Sequence, residues 1–321
     1  MSVLILAAEQ DPTADAVVHA LAEHDTVVHR LDTAWFPAAL SIDAELVGGR
    51  WTGRLSTPHR SVVLEEVHAV WYRSPGTFRF PEEMTAVERR HALVETKLGL
   101  GGVLTSLDVL WVNHPNRVAD ASYKPGQLVL AARCGLTVVP TLITSRPDAV
   151  RRFVAQTDHP VVGKMLGSTV IGEEGRFKAA RTRLVTGEDL VDLTGIEVAA
   201  HQFQHFVAGK AFDARVIAIG DDLFGFAIHA TSAEGRLDFR RDYPGLRYER
   251  LDVPDAVATG IRMFLKASGL SFGALDFVVD DHDGWLFLEN NPGGQYGWVE
   301  AATGAPLTSA LAALLVRGGT T

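Results

Sequence analysis

The chain has 321 residues, of which 47% are hydrophobic and 21% are charged, and its formal net charge is −9. This is the composition of an ordinary globular protein with two or three domains, and the negative charge argues against binding nucleic acid through general phosphate neutralisation. No apolar run is long enough for a membrane span, and the short apolar start lacks the basic lead of a signal peptide. The single cysteine, Cys134, cannot form an internal disulfide. We expect a cytoplasmic protein in which this thiol is buried.

The first third of the sequence has the pattern of a βαβ unit. Strands are predicted at Val3–Ala7 and Thr26–Leu31, with a helix at Ala14–Glu23 between them. The turn after the first strand lacks the GxGxxG fingerprint and no P-loop motif occurs, so neither kind of nucleotide site is predicted. A helical pattern over Pro81–Ser106 is expected to loosen at its glycines. Turn residues near position 112 predict a first domain of residues 1–112.

The middle of the chain alternates short helices and strands. The predicted elements are Gln127–Cys134, Thr141–Thr144, Pro147–Gln156, Val161–Leu166 and Thr182–Val185. After the strand at Val161–Leu166 comes a small, polar, glycine-rich run over residues 167–175, which is typical of a mobile loop. We place a second domain at residues 113–198.

The last third holds most of the strand signal. Strands are predicted at Ala199–Val207, Ala211–Ile219, Leu223–Thr231, Phe272–Val279 and Trp285–Asn290, and helices at Asp255–Ser268 and Pro306–Val316. This pattern predicts a third domain, residues 199–321, built on an antiparallel sheet. The chain as a whole is therefore expected to be of the α/β (α+β) class.

The last two predicted strands form a hairpin that carries two acidic residues. If the turn centres near His282, Asp276 and Glu289 are directly opposed, with Cβ atoms about 5 Å apart. Asn291 lies two residues beyond Glu289 and shares its face. Opposed carboxylates repel each other, so a cation is expected between them, and oxygen ligands of this kind suit Mg²⁺ or Mn²⁺. The alternative is a polar face in solvent, against which the apolar neighbours argue.

Several cationic residues could hold an anion, although each has a structural alternative. Lys164 ends a strand before the glycine-rich run, where a lysine can hold phosphate, but this position taken alone favours a surface lysine. Asp213 and Arg215 share one face of an apolar strand. Arg215 either forms an ion pair with Asp213 or another acid, or binds phosphate or carboxylate. Arg240 and Arg241 have the pattern of a solvated face unless an anionic ligand is present.

Taken together and in order, these motifs resemble the ATP-grasp ligases. The motifs are Lys124, Lys164, FQHFVAGKAFDARV at Phe203–Val216, DFRR at Asp238–Arg241 and LDF…FLENNPGGQYGW at Leu275–Trp298. With WYRSP at Trp71–Pro75 and NHP at Asn113–Pro115, the sequence more narrowly resembles the ATP-grasp maturases of ribosomally made peptides, the microviridin and graspetide macrocyclases. The resemblance implies an ATP-grasp fold with an N-terminal βαβ pre-grasp domain, a central domain and a C-terminal antiparallel-sheet domain.

The resemblance also implies roles for individual residues. The implied nucleotide-binding residues are Lys124, Lys164, Gln204, Phe206, Val207 and Asp213. The implied ligands of two Mg²⁺ ions, or of Mn²⁺, are Asp276, Glu289 and Asn291, with Glu289 bridging. The implied catalytic residues are Lys164, Arg215 and Arg240, with Arg215 near the γ-phosphate and the acceptor carboxylate. His205 departs from the family pattern, because it stands where an acidic residue is expected.

The resembled enzymes use ATP to convert an Asp or Glu side chain of a precursor peptide into an acyl phosphate. A Thr or Ser hydroxyl or a Lys amine then displaces phosphate and closes an ester or amide ring. We therefore expect ATP, Mg²⁺ and a precursor peptide with a leader as ligands, with the leader near Arg146–Gln156. No nucleic-acid or membrane partner is expected, and the sequence leaves open whether the chain forms a homodimer. The alternatives are a ligase for free amino acids or small peptides and a nucleotide-binding module without catalysis.

Overall fold

The computed structural model describes residues 1–167, 170–173, 176–179, 181–207 and 209–318. The N-terminal elements are β1 (Ser2–Ala7), α1 (Pro12–Ala22), β2 (Val27–Leu31), β3 (Ser41–Val47), β4 (Arg50–Ser56), β5 (Ser61–Val63), β6 (Val67–Ser74), α2 (Ala86–Thr105) and β7 (Leu110–Val112). The middle elements are α3 (Pro115–Asp120), α4 (Lys124–Arg133), β8 (Thr137–Val138), β9 (Thr141–Thr144), α5 (Pro147–Ala155), β10 (Val161–Lys164), β11 (Val170–Glu173), β12 (Arg176–Ala179), β13 (Arg183–Leu184) and α6 (Gly187–Val191). The C-terminal elements are β14 (His201–His205), β15 (Lys210–Ile219), β16 (Asp222–Ala230), α7 (Ala233–Leu237), β17 (Leu246–Leu251), α8 (Asp255–Ser268), β18 (Phe272–Asp280), β19 (Trp285–Asn291), α9 (Gly297–Thr303) and α10 (Leu307–Arg317).

The N-terminal elements confirm the βαβ prediction. A parallel sheet of order β2-β1-β6-β7 has β1 near its centre, and all six residues of β1 are buried. Asp11 caps α1, because its Oδ1 accepts hydrogen bonds of 3.0 Å from the backbone N–H groups of Thr13 and Ala14. A separate antiparallel sheet, β3-β4-β5, extends from the same part of the chain.

Helix α2 does not loosen at its glycines, so that prediction was wrong. It begins after a capping box, in which Thr85 and Glu88 each accept a hydrogen bond from the other's backbone N–H. It then continues without a break to Thr105. Buried Leu100 and Leu104 anchor the last turns in the N-terminal core. This packing outweighs the cost of about 1 kcal/mol that each helical glycine carries.

Two sheets follow, antiparallel except for the parallel pairing of β8 with β19, and each takes a strand from across the predicted border at residue 198. The four-stranded sheet has the order β13-β10-β14-β9, and the six-stranded sheet has the order β17-β16-β15-β18-β19-β8. Strand β17 was not predicted, because three of the six residues in LRYERL are charged and the adjacent Glu249 and Arg250 interrupt the alternation of a strand. The run at residues 167–175 lies partly outside the described residues, and its part at 170–173 pairs with β12. The predicted domain borders remain predictions.

One hydrophobic core joins the first sheet to the last. It includes Val3 and Ile5 of β1, Ile217 of β15, Phe272 of β18 and Leu311 of α10, all with 5% exposure or less. A second core packs α4 and α8 against the other side of the six-stranded sheet and includes Cys134, whose predicted burial is confirmed. The two cores thus support strands β18 and β19 on the side away from a cleft. The polar residues of the two strands face β10 and β14 across this cleft. No helix in the described part of the chain has the length and apolar character that a membrane crossing requires.

Candidate active site

The predicted register of the β18–β19 hairpin is confirmed. Asp276 lies directly opposite Glu289, and an irregularity in the pairing follows immediately after Asp276. Asn291 lies two residues farther along β19, and all three side chains line the same cleft. The hairpin therefore presents two carboxylates and one amide to a single space, as the alternation of strand side chains requires.

Each of the two carboxylates is paired with a cation of the chain itself. Arg215 lies opposite Asp276 on the neighbouring strand β15, and its Nε and Nη2 donate to Oδ1 and Oδ2 at 2.9 and 3.1 Å. Lys124 Nζ lies 2.8 Å from Glu289 Oε2 and donates to the carbonyl of Met165 at 2.9 Å. The sequence left the ion-pair partner of Arg215 open, and the structure shows that it is Asp276.

The charges around Glu289 keep it ionised. Burial raises the pKa of Glu289, but Lys124, Lys164 and Arg240 together outweigh burial and hold that pKa below its usual value. Burial also lowers the pKa of Lys164, which the negative charge of Glu289 only partly opposes. A half-buried carboxylate surrounded by three cations is suited to the exchange of one positive partner for another, such as a metal ion carrying an anionic ligand.

Lys210 is a cleft residue that the sequence analysis missed. Its Nζ lies 2.6 Å from Asp213 Oδ2 and donates to the carbonyl of Arg236 at 2.8 Å. Strict alternation places residues 210 and 213 on opposite faces of a strand, but the pairing of β15 with β18 shifts between Lys210 and Phe212. The shift brings the lysine to the side of Asp213. Burial raises the pKa of Asp213, and Lys210 opposes that effect.

The DFRR segment is only partly a solvated face, because Arg241 is exposed but Arg240 is half-buried. Arg240 donates from Nε and Nη2 to the two carboxylate oxygens of Asp238 at 2.8 and 3.1 Å. Arg241 donates to the carbonyl of Thr182 at 2.8 Å, and the backbone N–H of Thr182 donates to Asp238 at 3.1 Å. The segment therefore joins the two sides of the cleft, and Arg240 lies in its lining beside Lys164.

The far wall of the cleft is formed by strand β14 and the residues that follow it. Gln204 is buried, lines the cleft and donates to the hydroxyl of Thr141 at 2.9 Å. Phe206 and Val207 continue the lining. The ring of His205 packs against Phe153 of α5, with ring centroids 4.8 Å apart. His205 also contributes to the lining of the cleft, but neighbouring side chains of a strand point to opposite faces, so its ring is directed away from the face that carries Gln204.

The cleft fits a nucleotide with a divalent cation. Its lining combines apolar side chains with an unpaired acceptor, since the buried Oε1 of Gln202 has no hydrogen-bond partner among the described residues. At the other end, Lys124, Lys164 and Arg215 suit phosphate. In the described ranges, no group of three or more His, Cys, Asp or Glu side chains is arranged so that it could hold a metal ion. Mg²⁺ needs no such cluster, because it is held by one or two carboxylates together with substrate phosphates.

Comparison with known proteins agrees with this geometry. Residues 2–119 match the model of the MvdD pre-ATP grasp domain. The macrocyclase MdnC from Microcystis aeruginosa MRC, solved with its precursor peptide MdnA, is 28% identical with a TM-score of 0.86, over 99% of this chain and 100% of that one. The macrocyclase MdnB of the same organism is 28% identical with a TM-score of 0.80, over 98% and 99%.

A third solved structure is an ATP-grasp ligase from Chryseobacterium gregarium associated with ribosomally synthesised and post-translationally modified peptides. It contains ADP and a leader and core peptide, and it is 26% identical with a TM-score of 0.91, over 99% of this chain and 97% of that one. No curated protein matches the sequence. The chain has the ATP-grasp fold, and the N-terminal domain match and these neighbours support a maturase of ribosomal peptides.

Proposed function

We propose that the chain is an ATP-dependent, ADP-forming ligase that closes macrocycles in a ribosomal precursor peptide. The observation that carries the proposal is the double pairing in the cleft, where Asp276 meets Arg215 and Glu289 meets Lys124. These pairs place positively and negatively charged side chains together at the point where an anionic nucleotide and its metal must both be bound. A module that only bound a nucleotide would not need Arg215 aimed at the same point.

The cationic and anionic residues of the cleft have different roles in this proposal. Lys124 and Lys164 hold phosphate oxygens, and Arg215 holds the peptide carboxylate close to the terminal phosphate, against the repulsion of like charges. Asp276, Glu289 and Asn291 would hold Mg²⁺, which when bound neutralises charge on the phosphates. Arg240, which is anchored by Asp238, adds a further positive charge from the opposite side.

The proposed reaction has two displacements. An oxygen of the Asp or Glu side chain attacks the γ-phosphorus of ATP, and the bond to the ADP oxygen breaks. A Thr or Ser hydroxyl, or a Lys amine, then attacks the activated carbonyl. Phosphate leaves, the nucleophile loses its proton, and the net change is the loss of one water for each ester or amide ring.

The comparisons support a peptide as the acceptor. MdnC was solved with its precursor peptide, and the Chryseobacterium enzyme with a leader and a core peptide. Both cover nearly the whole of this chain, so the proposal extends a peptide substrate to it from two full-length neighbours. The site residues on their own are compatible with any carboxylate acceptor, which is why the decisive test uses a peptide.

The test is mass spectrometry of a precursor peptide incubated with the protein, ATP and Mg²⁺. The candidate precursor is a short peptide rich in Thr, Ser, Asp and Glu and encoded beside the gene. We expect products lighter by one water per ring, with one ADP and one phosphate per ring, and no change without ATP. An unchanged peptide mass, together with ADP release when free amino acids or dipeptides are supplied, would establish the small-molecule ligase in place of this proposal.

A further inference from the structure

A charged side chain lies buried outside the cleft, between the first sheet and the last. Arg73 occupies the end of β6, on the face that carries Trp71 into the core shared by the two sheets. Its side chain is only 3% exposed. A guanidinium is rarely buried unless its charge and its donors are matched, so its partners indicate what it does.

The partners of Arg73 come from two distant parts of the chain. Asp11, the capping residue of α1, places Oδ2 3.3 Å from Nε and neutralises the charge. Nη1 donates to the carbonyl of Gly293 at 3.1 Å, and Nη2 donates to the side-chain oxygen of Gln295. Arg73 therefore holds the loop that follows β19 at two points. The planar fork of the guanidinium makes this possible, because it fixes the angle between the two donors.

That loop connects directly to the proposed metal and acceptor residues. It begins at Asn291, whose Oδ1 accepts from the backbone N–H of Gly293 at 3.3 Å. Farther along, the backbone carbonyl of Gln295 accepts from Nη1 of Arg215 at 3.4 Å. Movement of residues 293–295 would thus displace Asn291 at one end and Arg215 at the other.

Two neutral side chains hold the first part of the same segment. Gln127 exchanges hydrogen bonds of 2.7 and 2.8 Å with the backbone of Asn290, and Asn113 donates to the carbonyl of Pro292 at 2.8 Å. Neither reaches the glycines or Gln295. Among the described residues, the hydrogen bonds from other elements to the loop beyond Pro292 are those of Arg73 and Arg215.

We propose that Arg73 is a positioning residue, which sets Asn291 and Arg215 through residues 293–295. The proposal deepens the proposed function and rests on it, since the positioned groups are those assigned to metal and acceptor. Groups that orient ligands in this way typically change metal affinity by 10–100-fold when they are altered. Loss of the two loop contacts should therefore weaken the use of Mg²⁺ without weakening the binding of the nucleotide itself.

The test compares Arg73→Lys with Arg30→Lys by calorimetric titration of ADP at several Mg²⁺ concentrations. Lysine keeps the charge beside Asp11 but cannot present two fixed donors to the loop. Arg30 is a matched control, because it also binds one carboxylate, Asp15, and two carbonyl oxygens in the turn that follows β1, yet it does not touch the loop. We expect Arg73→Lys to raise the Mg²⁺ concentration for half-maximal enhancement of ADP binding about tenfold.

Metal-free ADP affinity should stay within about twofold in both variants, and Arg30→Lys should leave the Mg²⁺ requirement unchanged. Gln295→Ala, at an exposed residue, removes one of the two loop contacts and should shift the Mg²⁺ requirement in the same direction by a smaller factor. Equal Mg²⁺ requirements in Arg73→Lys, Gln295→Ala and wild type would overturn the positioning role alone. Failure of the wild type to bind ADP with Mg²⁺ would overturn the proposed function as well.

Discussion

Lys124 Nζ and Glu289 Oε2 lie 2.8 Å apart, so a lysine assigned to phosphate and a carboxylate assigned to metal bind each other. The pair spans the cleft, because Lys124 also donates to the backbone of Met165 at the end of β10. A metal that binds Glu289 must weaken this pair, and a phosphate that arrives with the metal offers the lysine a new partner. The site therefore favours the binding of cation and nucleotide as one unit.

Glu289→Gln should abolish turnover while leaving the fold intact. The amide has nearly the shape of the carboxylate but cannot balance the charge of Lys124 or bridge two cations. Because a bound metal contributes several kcal/mol, phosphate release should fall on the order of 10²–10³-fold. The measurement is phosphate release at saturating ATP and peptide.

The control for this variant is Glu249→Gln. Glu249 lies on β17 of the same sheet, with a side chain 73% exposed and outside the cleft. Its removal should change phosphate release by less than about twofold, since exposed pairs such as its contact with His229 contribute little. Comparable phosphate release by Glu289→Gln and wild type would refute the assignment of the hairpin as the metal site.

Arg215→Met should destabilise the protein in the absence of ligands. Asp276 would lose both hydrogen bonds while its side chain is only 15% exposed, and an unmatched buried charge is costly. We expect a loss of about 2–3 kcal/mol in the free energy of unfolding, measured by denaturant titration. Adding Asp276→Asn should recover most of the loss, because the remaining group is then neutral.

The same variant tests the metal assignment without any turnover. If Mg²⁺ with ADP supplies a cation to Asp276, the deficit of Arg215→Met relative to wild type should shrink when both are present. The double variant should show no such gain. Arg215→Met and the double variant with Asp276→Asn could instead be equally unstable, both without and with Mg²⁺ and ADP. That result would mean that the lost contact of Arg215 with Trp298, and not the charge, explains the effect.

The opposition of Asp276 and Glu289 was predictable because strand alternation and a short turn fix a hairpin's register. The ion-pair partner of Arg215 was not predictable, because alternation specifies the face of a strand on which a side chain lies but not which strand pairs with that strand. Lys210 was not predicted as a cleft residue for a related reason. The irregularity in β15 that turns its side chain toward Asp213 cannot be seen in the pattern of apolar residues.

Contacts between distant segments were the least predictable part of the structure. Arg73 stands out in the sequence only as a charge at the end of an apolar strand, and its loop partners lie 220 and 222 residues away. The DFRR segment likewise has the local pattern of a solvated turn. Its arginines are ordered by Asp238 and by the backbone of Thr182, which joins them from another part of the chain.

His205→Glu should leave nucleotide binding unchanged. Although His205 contributes to the cleft lining, its ring packs on Phe153, so we expect an acidic side chain at this position to point away from the face that carries Gln204. ADP affinity should stay within about twofold of wild type, while the free energy of unfolding should fall by about 1 kcal/mol as a carboxylate replaces the ring contact. Gln204→Leu, at the buried neighbour that does face the cleft, should weaken ADP about tenfold. A large loss of ADP affinity in His205→Glu would place that side chain in the cleft instead.

Asp238→Asn should lower stability in a manner that depends on pH. Burial raises the pKa of Asp238, but the bonds from Arg240 and from the backbone of Thr182 outweigh it and lower the pKa from 3.8 to about 2. Because the folded-state pKa is the lower one, the stabilisation is complete above pH 3.8 and is lost as the pH falls towards 2. The variant should therefore be less stable than wild type by about 2 kcal/mol at pH 6 and by about half as much at pH 3. Denaturant titrations at the two pH values measure this difference. Arg240→Lys keeps the charge beside Asp238, so this variant should lose less free energy of unfolding at pH 6. A loss of stability in Asp238→Asn that is the same at both pH values would show that this pair does not hold the carboxylate ionised.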